Sequence, residues 1–149
     1  MVTKSKIIIR GSKSGILDVN LVDILRCIQN GELLFWSLFW IEAIGKGSDS
    51  EMLDFKSYVK NSGNGILYNY NTLIELSSSF TQIIDILICG DMNLEKLKRY
   101  ESDEDMIREC AFVIELVDSS YWEVSTNDLA SINNIKNNLS GVTEQYYFE

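Results

Sequence analysis

The side chains that most often do chemistry are sparse in this chain, and one type is missing altogether: its 149 residues include no histidine. That absence removes the commonest general base, the commonest metal ligand and the usual partner of a catalytic serine or cysteine. The three cysteines, Cys27, Cys89 and Cys110, form an odd set without CxxC spacing. Each lies in an apolar, periodic segment, where burial raises a thiol pKa instead of activating it. They read as buried, reduced thiols of a cytoplasmic protein. Carboxylates are plentiful, but an acid/base pair of the glycosidase kind is defined by its separation across a cleft, which spacing in sequence does not specify. Asp91-Met92-Asn93 begins like a calcium loop, yet Lys96 stands where the loop needs glycine and Ser102 where it needs a bidentate glutamate. Gly45-Lys46 resembles the end of a phosphate-binding loop, yet Trp40 occupies the first glycine position and Gly47 follows the lysine. The expectation is a protein that is not an enzyme and needs neither cofactor nor metal.

Charge says more. Residues 1–90 hold 8 Lys+Arg and 9 Asp+Glu, whereas residues 91–149 hold 5 and 13, so that −8 of the total −9 lies in the last two-fifths of the chain. Such a field repels nucleic acid and anionic membranes and attracts basic proteins. The cluster Lys4, Lys6, Arg10 and Lys13 is too small to reverse it and reads as a solvated edge. Glu101, Asp103, Glu104 and Asp105 form a solvated acidic turn. With Glu109, Glu115 and Glu123 they make up the face expected to meet a basic partner, and Tyr121 is its candidate anchor. Tyrosine combines a large apolar area with a polar tip and is favoured where binding energy concentrates. Tyr68, Tyr70, Tyr146 and Tyr147 also fall near predicted strand ends or the terminus.

The elements that must position these residues can be read from periodicity. The length suits one globular domain, residues 1–149, and with no proline in the chain no proline-marked linker divides it. Residues 6–10 form a β-branched strand and residues 11–15 a turn. Leu21, Ile24, Leu25 and Ile28 recur at helical spacing. Residues 33–44 are apolar on both alternate faces, Trp36, Leu38 and Trp40 on one and Phe35, Phe39 and Ile41 on the other, as in a central strand; a buried helix is the alternative. At nine residues, the apolar run 33–41 is far short of the roughly 20 needed to span a membrane. Met52, Phe55 and Val59 mark a helix capped by Ser50, and residues 65–70 a brief strand. Thr72 and Glu75 read as a capping box for a helix over 72–89, with a stripe of Leu73, Leu76, Phe80, Ile83, Ile84 and Leu87. Leu94 and Leu97 suggest one or two helical turns. Residues 110–117 and 121–125 form a hairpin, with Glu115 and Glu123 turned to water. A helix from Asp128 buries Leu129, Ile132, Ile135 and Leu139, and a strand-like tail ends the chain. These elements predict an α+β fold, a mixed, mainly antiparallel sheet with helices packed on it.

The hairpin Val117-Asp118-Ser119-Ser120-Tyr121-Trp122-Glu123-Val124 and the helix after it, with the preceding GILYNYNTLIELSSSFTQIIDILICG, resemble the small immunity proteins of bacterial toxin systems. The resemblance covers about half the chain. It implies a cytoplasmic protein that binds and neutralises a cognate toxin domain, basic and often a nuclease. It assigns no contact residues, because such families vary at the interface. The alternative is a non-catalytic regulatory or scaffold domain acting as a homodimer.

Overall fold

The computed structural model describes residues 4–12, 17–45 and 47–148, the last two without their side chains. Part of the turn expected at 11–15, and Lys46, lie outside the described residues. In chain order the elements are β1 (Lys4–Ile9), α1 (Leu21–Leu25), β2 (Phe35–Ile44), α2 (Asp49–Lys60), β3 (Ile66–Tyr68), α3 (Tyr70–Ser78) and β4 (Gln82–Asp91). They continue with α4 (Asp103–Glu109), β5 (Phe112–Val117), β6 (Tyr121–Thr126), α5 (Leu129–Asn138) and β7 (Val142–Phe148). Short 3-10 turns at Gly31–Leu33 and Leu94–Lys96 complete the set. The strands form one seven-stranded sheet in the order β3-β2-β4-β5-β6-β1-β7, and all six pairings are antiparallel. The fold is α+β. No helix among the described residues is long and apolar enough to cross a membrane.

Each face of the sheet meets its own apolar cluster. On the first, Trp36, Leu38 and Ile41 of β2, Ile86 and Ile88 of β4, Ile114 of β5, Trp122 of β6 and Ile7 of β1 pack with Ile24, Leu73 and Ile135 from α1, α3 and α5. Both tryptophans satisfy their indole N–H, Trp36 on the Gly31 carbonyl at 3.0 Å and Trp122 on that of Val19 at 2.8 Å. The second face carries a smaller cluster: Phe39, Cys89 and Val113 from the sheet, Leu97, and Met106, Ile107 and Cys110 from α4 and its end. All three cysteines are free thiols and buried. At one edge β3 pairs with only three residues of β2, and α2 lies along the rest, Lys56 reaching Glu42 and Trp40.

The structure corrects the helix expected over 72–89. Its helical part, α3, starts at the Asn69 cap, whose side chain accepts from the Thr72 N–H at 2.9 Å, and ends at Ser78. Residues 82–91 are instead the central strand β4, held between β2 and β5. A strand covered on both faces is apolar at nearly every position, and such a run also satisfies the i, i+3, i+4 template of a helix. The alternation expected along β2 fails halfway. Leu38 pairs with Ile88 but Trp40 with Leu87, so Phe39 is an extra residue, a bulge that reverses the parity of side chains beyond it. Ile41 therefore enters the first core in place of Trp40, which is only partly buried. Three smaller corrections follow. The cap of α2 is Ser48, in a capping box with Glu51. Leu129, at 72% exposure, faces water where α5 begins. The acidic segment is not a turn: from Asp103 on it is the first turn of α4.

Candidate protein-binding surface

The acidic residues owe their arrangement to α4. This short helix begins at Ser102, whose hydroxyl accepts from the Asp105 N–H at 3.1 Å, and its first turn holds Asp103, Glu104 and Asp105, where carboxylates complement the positive end of the helix. At its other end the Lys4 ammonium donates to the Cys110 carbonyl at 2.6 Å, placing a cation at the negative end. Burial holds the Lys4 ammonium below its ordinary pKa, while nearby Asp91 and Glu109 act in the opposite direction. Asp91 fixes the chain on both sides of this junction, accepting from the N–H groups of Asn93 and Ala111 at 2.8 Å each. Arg99 anchors the segment leading to α4, its guanidinium donating to the carbonyls of Phe39, Val59 and Ser62 at 2.9 to 3.1 Å. That brings a cation to the C-terminal end of α2. Met106 and Ile107 face the sheet, leaving the carboxylates outward.

Three of the expected residues are gathered from separate elements. Glu115 of β5 and Glu123 of β6 are direct cross-strand partners, and with Asp103 from α4 and Lys6 from β1 they line a small cleft of about 60 Å³. Lys6 pairs with Glu123 at 3.6 Å. Burial first, and then the charges of Glu123 and Asp103, push the Glu115 carboxyl above the ordinary carboxylate range, with Lys6 acting the other way. Both glutamates are half-buried, where full exposure was expected. Along the helix Arg108 pairs with Asp105 at 3.0 Å and Glu104 at 3.4 Å, and Lys96 pairs with Glu109 at 3.5 Å. Glu101 is exposed just before the helix. Six carboxylates thus lie on α4 and the adjoining sheet, with Glu101 just before the helix and Lys6, Lys96 and Arg108 as ion-pair partners within the group.

Tyr121 lies two residues before Glu123 on the same side of β6, and the Arg10 guanidinium sits 5.3 Å from its ring centroid. The anchor is therefore adjacent to the acidic group but carries a cation of its own. Among the other tyrosines, Tyr70 is structural: it donates to the Leu25 carbonyl at 2.5 Å, and its ring lies against Gly31 so closely that a Cβ there would approach to 2.6 Å. Tyr146 is 76% exposed on β7, and the side chain of Tyr147 lies outside the described residues. Sequence reasoning put Lys4 on a solvated edge, whereas it is buried, at 7% exposure, and it gave Asp91 and Arg99 no part in holding α4 in place. Their partners are backbone groups remote in sequence, so no local pattern marks them. Comparison of the chain with family models, curated proteins and solved structures returns no match.

Proposed function

We propose that this chain acts by binding, as an immunity protein that neutralises a basic toxin domain such as a nuclease in the cytoplasm, without catalysis of its own. The observation that carries the reading is the convergence of Asp103, Glu115 and Glu123 on a face where carboxylates outnumber their cations. Like charges crowded at a half-buried site cost free energy in the isolated protein, and a cationic partner would relieve that cost on docking. The excess charge also supplies a steering field, worth about 10 to 10³-fold in association rate.

The test begins with affinity capture from the source cell. The captured protein should be toxic when expressed alone and harmless when expressed with this chain. Replacing Glu104 and Asp105 by lysine should slow association at least about tenfold at low salt, with little change in dissociation, and the difference should shrink as salt rises. A partner that is not toxic, or one bound by the lysine variant at an unchanged low-salt rate, would refute the proposal.

A further inference from the structure

The two edges of the sheet differ in a way that points to a second interaction. At the β3 edge only three residues are exposed as strand, and α2 covers the remainder of β2. At the β7 edge the run Val142-Thr143-Glu144-Gln145-Tyr146 pairs regularly with β1, and the one irregularity, at Tyr147, lies beyond it. This run contains no lysine, arginine or proline, the residues that proteins use to blunt an exposed edge.

Its outward groups can be assigned from the ladder. The Arg10 N–H donates to the Gly141 carbonyl at 3.0 Å, one position before the pair Ile9 and Val142. Hydrogen-bonded and non-bonded pairs alternate along an antiparallel ladder. Thr143 and Gln145 therefore exchange their bonds with β1, while Val142, Glu144 and Tyr146 direct their N–H and C=O groups away from the sheet.

We propose that β7 is a dimerisation edge, pairing antiparallel with β7 of a second copy of this chain about a two-fold axis at Glu144. In this register all three outward residues find partners, Val142 opposite Tyr146 of the second copy and Glu144 opposite its own equivalent, for about six backbone hydrogen bonds. A β-branched residue opposite an aromatic one is a favourable cross-strand pair. The two Glu144 carboxylates are each already held within their own subunit, by the Lys136 ammonium and by the Ser5 hydroxyl, the latter at 2.7 Å. The acidic helices do not oppose the pairing. Helix α4 packs on β5, three strands from β7, so seven strand spacings of about 4.8 Å, roughly 34 Å, separate the two helices in the dimer. The Debye length near physiological salt is about 8 Å. A second copy fits this edge better than a cationic partner does, because the edge offers self-complementary backbone and only one carboxylate, already paired.

The test measures mass by sedimentation equilibrium and amide exchange by NMR over a dilution series of the full chain. Mass should rise from 17.0 kDa towards twice that value as concentration increases into the millimolar range. At the highest concentration exchange at Val142, Glu144 and Tyr146 should slow at least about tenfold, while Thr143 and Gln145 stay protected throughout. Glu144→Pro removes an outward donor without touching the β1 ladder, and Tyr146→Lys adds an edge charge; each should leave a folded monomer. Monomeric mass at every concentration would overturn the proposal. So would a dimer that survives both substitutions, or one that leaves the three amides unprotected.

Discussion

Two isoleucines on β4 separate the strand from a helix by experiment. Ile86 is 1% exposed and faces the first core, whereas Ile84 is half-buried near the end of the strand. In a helix over 72–89 the order would reverse, since Ile84 lies in the apolar stripe and Ile86 outside it. Ile→Ala removes three carbons at either site, so differences in chemistry cancel and only burial remains. At Ile86 each carbon contributes about 0.8 kcal/mol of transfer free energy, roughly 2.4 kcal/mol in all. The cavity left between its cross-strand partners Ile41 and Leu116, both buried in the same core, brings the expected loss into the range of about 2 to 5 kcal/mol. At Ile84 partial exposure halves the transfer loss and lets solvent fill the gap, so about 1 kcal/mol is expected, part of it the lower strand propensity of alanine. Urea denaturation at neutral pH, monitored by tryptophan fluorescence, would give both values from the midpoints, provided the slopes agree. If Ile84→Ala costs as much as Ile86→Ala or more, the placement of β4 is wrong.

The remaining predictions concern charge and a turn. Glu115→Gln should raise the denaturation midpoint at neutral pH. The folded-state pKa of Glu115 lies above its unfolded value of 4.5, so its contribution to stability is full below 4.5 and is lost as pH rises through the folded value. A variant less stable than the parent at neutral pH would count against the crowding of carboxylates. Glu144 behaves in the opposite sense. Hydrogen bonds from Lys136 and Ser5 hold its pKa below 4.5, so its contribution is present above 4.5 and lost as pH falls through the folded value. Lys136→Ala should flatten that acid limb, and acid titrations of parent and variant that superimpose would exclude the pairing. Asp118 and Ser119 both have positive φ, 48° and 57°, and the Ser120 N–H donates to the Val117 carbonyl at 2.8 Å, the pattern of a type I′ turn. Asp118→Gly, which leaves the Ser119 hydroxyl on the Ile84 carbonyl, should stabilise the hairpin by about 0.5 kcal/mol, a gain visible as a raised thermal midpoint.

Much of the framework was legible from local pattern because local forces decide it. The β-branched run at β1, the hairpin over residues 110–125, the helix after Asp128 and the strand tail each satisfy a short-range rule, and each forms where that rule places it. The imbalance of charge and the absence of histidine follow from composition alone. Helix α4 was hidden because its seven residues present only two buried side chains, Met106 and Ile107, too few to register as a period.

What needed the tertiary structure was every choice between alternatives that satisfy the same local pattern. Residues 82–91 could be helix or strand until β2 and β5 supplied partners on both sides, and one extra residue at Phe39 decided which face Ile41 would take. The acidic surface shows the same division. Its residue types and excess charge belong to the sequence, but Asp103 meets Glu115 and Glu123 only because α4 lies against β5, held there by Lys4, Asp91 and the buried face of the helix. Contacts between residues far apart in the chain depend on packing and on backbone partners, and neither leaves a periodic trace in the order of the amino acids.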